Sequence, residues 1–450
     1  MTLPYNSAKH LCRFGLLALS FSGVATAANF ELSKFIEVGA TTTDNFLLTD
    51  VDGIQENGLV FNIKPSVELK FTGNRFGLVA LGEVEYIRFN DSDEEIVDPR
   101  LFTHIRGTLI DDLLFLDSTL ELSNLSGDNS FPRPTDEGET AATSETRSYI
   151  ERSFGRTADL YTGYTFSIFS DRTDRDSEVR KHTVDFSLGR NPSFGGIIWG
   201  LGGLYSRDES STNEFENAYL YGKLGGAITQ TLLAEFTYGV ESRKLINAVN
   251  TDATEYDISP LWNAQLNWSP SELTTLTIGY GERFFGAGPN MQLDHRIRNS
   301  SISASYTRDI TRQAATLSGI AILGDNTNPT IIDTDTVTVD DTNSLTPLDE
   351  PFVDNRFQLA YKLTGRRSDI IVDAIYSDRE RLSGSDSIKS LLGRLVFDRK
   401  LSDFLRLRLQ YDYQKSTPLN NIEENKFSIK FIYNFDGTDE TTTQDSYGLE

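Results

Sequence analysis

The sequence predicts an all-β fold: a single transmembrane antiparallel up-and-down β-barrel of about 20 strands, within a range of about 18 to 22. Three observations predict it. Residues 1–27 resemble an export segment, no other apolar run approaches the roughly 18 residues of a membrane helix, and apolar and polar residues alternate through nearly the whole chain. Because successive strand side chains point to opposite faces, this repetition favours a barrel that is apolar outside and polar inside.

Residues 1–27 are expected to be a secretory signal peptide. Lys9 and Arg13 precede an apolar run that ends in a small-residue cleavage site at Ala27. The single cysteine, Cys12, lies in this segment, so the mature chain has no thiol for disulfides or metal binding. Removing the segment leaves 40 of the 42 basic residues against 66 acidic ones, a formal charge of -26. Nucleic acid is therefore not an expected partner.

The strongest alternation lies near the C-terminus, between Asn425 and Phe435. From Phe427 onward its odd-numbered positions are aromatic or aliphatic, and its even-numbered positions are polar except for Ile432. The preceding segment, 403–415, alternates leucine and tyrosine with charged or amide side chains. A face so charged cannot lie in a packed core, so these strands are expected to separate lipid from water.

The other strands are predicted as hairpins with short turns at one end and longer polar connections at the other. Both termini fall at the short-turn end, which is the bacterial outer-membrane topology. The barrel is expected to occupy 28–435, followed by an acidic tail at 436–450. The predicted strands lie near 32–43, 58–71, 76–89, 100–110, 113–124, 147–155, 158–170, 179–189, 196–207, 215–225, 231–243, 255–268, 273–285, 297–308, 313–323, 355–363, 369–379, 387–398, 403–415 and 425–435.

Two predicted connections, 125–146 and 324–353, are longer than ordinary hairpin loops, so they are the candidates to fold into the lumen. No plug is expected before the first strand, because only a few residues separate it from the signal site. The second loop is rich in Asp and Thr, but its acids lack the regular spacing of a calcium loop. No metal site and no cofactor are predicted.

Side chains on a strand alternate between its two faces, so the odd or even position of a residue, its parity, decides whether it points into the barrel. This parity predicts an inner face that carries charges of both signs. This face either lines a wet lumen that binds or conducts a polar solute, or its charges pair with one another and merely solvate the interior. Both interpretations require an aqueous interior. The predicted inner residues are Glu83, Glu85, Asp185, Glu235, Glu241, Arg243, Arg283, His295, Arg356, Asp373, Arg394, Arg406, Arg408 and Asp412.

An enzyme is not expected. The mature histidines, His104, His182 and His295, lie on three distant segments. The chain also lacks the G-x-S-x-G, H-E-x-x-H and phosphate-loop patterns.

The region from Ile278 to Tyr306 resembles the outer-membrane protein family associated with PEP-CTERM systems. The resemblance is carried by Ile-Gly-Tyr-Gly-Glu-Arg-Phe-Phe-Gly from Ile278, by Leu-Asp-His-Arg-Ile-Arg from Leu293 and by Ser-Ile-Ser-Ala-Ser-Tyr from Ser301. A weaker resemblance extends from Thr43 through most of the mature chain. It implies an outer-membrane role beside exopolysaccharide synthesis and supplies no catalytic residues. Here parity gives Arg296 and Arg298 the face opposite His295, where they would meet lipopolysaccharide phosphates, unless a bulge resets the parity.

The expected function is an outer-membrane conduit for exopolysaccharide. The alternatives are a general or sugar-specific diffusion porin, and a non-conducting scaffold that binds matrix polysaccharide or divalent ions. The expected partners are outer-membrane lipid and lipopolysaccharide, together with the barrel-assembly machinery, which would recognise the terminal aromatic Phe435. Polysaccharide and periplasmic export proteins are further expected partners. The expected location is the bacterial outer membrane.

Overall fold

The computed structural model describes residues 29–45, 57–90, 95–125, 139–155, 157–171, 178–190, 196–210, 213–247, 257–311, 352–381, 387–417 and 422–436. The expected signal peptide, nearly all of the acidic tail, the predicted strand near 313–323 and almost the whole of the predicted loop at 324–353 lie outside these residues.

The alternating segments form a sheet of 20 strands in the described part of the chain. No helix among these residues is long and apolar enough to cross a membrane. In order, the strands are β1 Asn29–Thr43, β2 Gly58–Thr72, β3 Phe76–Phe89, β4 Glu95–Ile110, β5 Leu114–Leu125, β6 Glu139–Ser153, β7 Asp159–Asp171, β8 Val179–Gly189, β9 Ile197–Glu209, β10 Asn213–Ala227, β11 Leu232–Asn247, β12 Asp257–Ser271, β13 Thr274–Arg283, β14 Gly286–Ile297, β15 Ser300–Thr311, β16 Phe352–Thr364, β17 Ser368–Arg381, β18 Ser387–Lys400, β19 Leu405–Thr417 and β20 Ile422–Asn434.

The sheet closes on itself. Each strand pairs antiparallel with its neighbours in the chain, and β1 also pairs with β20, from Phe35 opposite Asn434 to Thr43 opposite Lys426. The predicted fold class, an up-and-down barrel of about 20 strands, is therefore confirmed.

The outer face of the barrel is apolar. Leu224 is 62% exposed and Tyr238 is 58% exposed, although such side chains are usually buried in water-soluble proteins. All three tryptophans, Trp199, Trp262 and Trp268, lie on this face. A closed ring of strands satisfies its backbone hydrogen bonds internally, so this surface suits hydrocarbon. The protein is an outer-membrane β-barrel of the bacterial type.

The two ends of the barrel differ. At the end where β1 begins and β20 ends, connections of two or three residues follow β2, β4, β12, β14 and β16. In outer-membrane barrels this end faces the periplasm, so it is called the periplasmic end and its opposite the outer end.

The interior is not a packed core. Among the described residues, substantial contacts between strands are confined to neighbours in the sheet. The buried apolar cluster consists of Val60, Ile87 and Phe89, with Ile96 against it, and it lies locally on β2 to β4. Twenty strands about 4.8 Å apart and tilted by about 40° give a round barrel a backbone diameter of about 40 Å. Such a ring leaves space for an aqueous lumen.

The structure corrects the prediction around β14. The segment Gly286–Ile297 is a strand, and the predicted strand near 297–308 is instead β15, Ser300–Thr311. The turn between β13 and β14 contains only Phe284 and Phe285. Gly286 has a φ of +104°, and the glycine, proline and asparagine that follow break the apolar alternation, so the sequence looks like a loop here.

The predicted long loop at 125–146 is shorter than expected, because β6 already begins at Glu139. From Ala142 to Thr146, the residues of β6 are small or polar on both faces. Strands of this length extend beyond an apolar band about 25 Å tall, so their outer ends face water on both sides and lose the alternation.

Candidate functional site

The inner face is the candidate site, and it carries the charged residues that parity predicts, with one exception. Most of the others have at least one outward apolar neighbour, as Glu83 and Glu85 flank the exposed Val84. The residues placed inside are Glu83, Glu85, Asp185, Glu235, Glu241, Arg243, Arg283, Arg356, Asp373, Arg394, Arg406, Arg408 and Asp412.

The exception is His295, which faces outward. It lies opposite Thr274 and Ile302, on the same face as Leu293, and the Thr274 hydroxyl lies 2.8 Å from its Nδ1 atom. Arg296 faces inward instead. The parity prediction is wrong here because the tight turn before β14 adds a strand that the sequence does not reveal.

Arg298 also does not lie on the strand face that parity gave it. Arg298 lies in the two-residue turn between β14 and β15, at the periplasmic end. Lipopolysaccharide lies in the outer leaflet, at the other end of the barrel.

Paired charges connect β18, β19 and β20 across the inner face. Arg408 donates to Asp398 through Nε at 2.9 Å and Nη2 at 3.0 Å. Arg394 donates to Asp412 at 2.9 Å, and Lys426 Nζ lies 3.9 Å from the same carboxylate. These partners come from directly paired strand positions, so the register of the barrel builds the network.

Similar pairs cross the seam where the first and last strands meet. Glu37, which is 5% exposed, lies 3.1 Å from Lys430 on β20 and 3.9 Å from Lys64 on β2. Lys64 also lies 3.8 Å from Glu83 on β3. On the other side of the barrel, Glu235 lies 3.8 Å from Lys223. Carboxylates and cations are therefore distributed together around the wall rather than in rings of one sign.

A compact cluster holds the β13–β14 turn at the outer end. Glu241 is 2% exposed and accepts the Phe284 backbone N–H at 2.5 Å and two Arg283 guanidinium N–H groups at 3.2 Å. Arg283 also donates to Asp309 at 2.8 Å. The Arg243 guanidinium lies 3.8 Å from the centroid of the Phe284 ring. This charge is satisfied within the cluster, which indicates a structural role for Glu241.

Sequence reasoning missed a group of aromatic side chains on the inner face of β5 to β10. We call this group the tyrosine wall and define it by Phe115, Tyr149, Tyr161, Tyr219 and Tyr221, with Gly163 and Gly202 beneath the rings. The Phe115 and Tyr149 rings stack at 5.1 Å, and the Tyr149 and Tyr161 centroids are 5.8 Å apart. Parity alone would have placed these tyrosines inside.

The three histidines do not assemble into one site. His104 faces inward and lies 2.9 Å from Asp117, whereas His182 faces outward against Tyr164 and Phe166. No group of three or more His, Cys, Asp or Glu side chains in the described ranges is placed to hold a metal ion. The Asp-rich loop lies outside those ranges.

No protein-family model matches the chain, and no curated protein matches it. Solved structures of similar shape are outer-membrane barrels. The siderophore receptor PirA from Pseudomonas aeruginosa is 9% identical, with 91% of this chain and 81% of that chain covered and a TM-score of 0.40. The FrpB iron transporter from Neisseria meningitidis is 6% identical, with coverages of 90% and 81% and a TM-score of 0.46. OccK2 from Pseudomonas aeruginosa is 12% identical, with coverages of 90% and 98% and a TM-score of 0.36.

Likenesses this remote do not identify a solute for this chain. Its assignment to the outer-membrane barrels follows from its own closed register, apolar outer face and charged inner face.

Proposed function

We propose that the protein is a passive conduit for hydrated polar solutes across the outer membrane, and that its cargo is exopolysaccharide. The observation that carries the proposal is the wide closed ring, whose inner face is charged and whose opposite walls do not pack together in the described part. The resemblance of Ile278 to Tyr306 to proteins of PEP-CTERM systems favours a polysaccharide as the cargo.

The pairing of the inner charges suits a neutral or weakly charged polymer. Pairs such as Arg394 with Asp412 offer hydrogen-bond donors and acceptors to hydroxyl groups, while each charge is already compensated. A polymer in transit needs many contacts that it can leave as readily as it enters. Lipopolysaccharide, the barrel-assembly machinery and periplasmic export proteins remain predicted partners.

A diffusion porin is the second candidate function. Mixed, paired charges around the wall, such as Glu37 with Lys430 and Glu235 with Lys223, favour a channel with little preference for ion sign. Such a channel would also pass small sugars.

The test is a deletion strain compared with its complemented parent, in which extracellular and cell-associated polysaccharide are measured separately. We expect total synthesis to be unchanged and polymer to shift from the extracellular to the cell-associated fraction. Unchanged export with altered uptake of small sugars would favour the porin. Unchanged export and uptake, with polysaccharide bound to the cell surface by the folded protein alone, would favour the scaffold.

A further inference from the structure

The inner tyrosines are confined to one side of the barrel. On the described strands, the tyrosines that face the lumen are Tyr149, Tyr161, Tyr219 and Tyr221, on β6, β7 and β10. The described inner positions of β17 to β20 carry charged, amide, hydroxyl and aliphatic side chains instead. The lumen therefore has an aromatic side and a charged side.

The register brings these tyrosines into two adjoining rows across the sheet. One row runs from Phe115 through Tyr149, Gly163, Asp185 and Leu204 to Tyr219. The other runs from Glu151 through Tyr161, Ser187 and Gly202 to Tyr221. Neighbouring strands are about 4.8 Å apart, so Tyr161 and Tyr221, three strands apart, are separated by about 14 Å along their row.

Glycines let two of the rings lie close against the wall. A Cβ atom at Gly202 would lie 2.6 Å from Cζ of Tyr221, and one at Gly163 would lie 3.2 Å from Cζ of Tyr161. Real Cβ atoms essentially never approach another heavy atom within 3.0 Å and rarely within 3.4 Å, so the rings occupy space that the side chain of any other residue would need. Rings that cover glycines leave the lumen wide and turn aromatic surface towards it.

Polar groups lie among the rings. The Arg147 guanidinium is 5.7 Å from the Tyr149 ring centroid and 5.2 Å from that of Tyr161, and its Nη2 atom is 3.5 Å from Asp185. The buried Nε atom of Arg147 has no hydrogen-bond partner among the described residues. The Arg147 side chain is nevertheless 38% exposed, so the wall combines aromatic surface with guanidinium N–H donors that a solute in the lumen can reach.

This combination matches the chemistry of a pyranose sugar. A pyranose has a face of C–H groups, which are attracted to the negative face of an aromatic ring, and a rim of hydroxyl groups, which bind guanidinium and carboxylate groups. A nucleobase or aromatic solute would also stack, but the strongly acidic chain disfavours nucleic acid.

We propose that the tyrosine wall is a binding surface for a chain of pyranose sugars, which contacts Tyr161 and Tyr221 through ring stacking and Arg147 through hydroxyl groups. The proposal rests on the proposed function and specifies where its cargo binds. The alternative is that the rings only cover glycines and stabilise the strands, as aromatic side chains do beside glycines in other sheets.

The test is calorimetric titration of the purified, detergent-folded protein with two probes. They are oligosaccharides released from the source bacterium's own extracellular polysaccharide, and maltohexaose. We expect Tyr161→Ala combined with Tyr221→Ala to weaken binding of the native oligosaccharides by about tenfold or more, since each ring contributes a factor of a few. Tyr161→Phe combined with Tyr221→Phe should retain most of the affinity because the rings remain.

The matched control is Tyr238→Ala, on the neighbouring strand β11, whose side chain faces lipid and should not affect binding. Each variant is first checked for the folded, heat-modifiable band. If the double alanine variant does not fold, Gly202→Ala serves instead, because its new Cβ displaces the Tyr221 ring and should weaken binding by a smaller factor.

Binding by the double alanine variant equal to that of the parent would overturn the proposal, and so would no binding of either probe by the parent. Sugar binding that depends on the tyrosines, with normal polysaccharide export in the deletion strain, would keep the proposed site and refute the export function. Impaired export without sugar binding would refute the proposed site and keep the export function.

Discussion

The charged residues of the lumen act in pairs set by the strand register. Asp398 and Arg408 are direct partners on β18 and β19, and their side chains are 11% and 12% exposed. A pair of this kind contributes little over an apolar pair, because both ions lose hydration. Removing one partner is costly, since the other charge is left without compensation.

Arg408→Ala is therefore expected to lower the free energy of unfolding by about 1–3 kcal/mol, a value discounted for water in the lumen. The measurement is urea unfolding of the protein in lipid vesicles, followed by the loss of the folded band on an unheated gel. The double variant with Asp398→Ala should recover part of the loss, because no unpaired carboxylate remains. An Arg408→Ala protein as stable as the parent would show that water alone satisfies Asp398.

The alternation along a strand shows which face of the sheet a residue occupies. It does not show which residues lie beside it on the neighbouring strands. The inward direction of Tyr161 and Tyr221 follows from the alternation of β7 and β10. Their place in one row with Gly202 depends on the registers of three strand pairs, which single-strand patterns do not contain. The ion pairs of Glu37 with Lys430 and Lys64 were missed for the same reason.

The strands themselves were largely predictable, because each crosses an apolar band with one face in lipid. The two failures, at β14 and β6, occur where this condition does not hold. The start of β14 contains Gly286, Gly288 and Pro289, which carry no alternation. The first part of β6 lies towards the outer end, and its residues from Ala142 to Thr146 are small or polar on both faces. Because β14 was missed, His295 was predicted to face inward, whereas it faces outward.

Aromatic residues cluster at the periplasmic end of the last strand. The Tyr433 ring lies 6.3 Å from that of Phe404 and 5.0 Å from that of Phe435. The Phe435 backbone N–H donates to the Lys34 carbonyl at 3.0 Å, which joins the end of β20 to β1. These residues lie where the last strand pairs with the first.

Deleting 438–450 is expected to leave outer-membrane levels of the protein nearly normal, whereas Tyr433→Ala combined with Phe435→Ala should lower them sharply. The physical reason is that Tyr433 lies in the closing strand and the Phe435 backbone N–H donates to the Lys34 carbonyl of β1, whereas 438–450 follow the last described strand position, Asn434. Levels are measured by immunoblot of outer-membrane fractions. Equal levels in the two variants would place the assembly signal elsewhere.

At the scale of the whole molecule, one closed ring of strands separates two environments. Its outer face exposes side chains such as Leu224 and Tyr238, and its inner face carries compensated charges and the tyrosine wall. The ring is wide enough, at about 40 Å between opposite backbones, to leave an aqueous lumen. This division would give polar solutes the route through the membrane that we propose.

The most direct test of this account is the conductance of the purified protein in planar lipid bilayers, using protein that shows the folded, heat-modifiable band. We expect stable, ohmic channels with weak selectivity between cations and anions, because charges of both signs line the described lumen in pairs. Folded protein that inserts into the bilayer but carries no current would contradict the conduit.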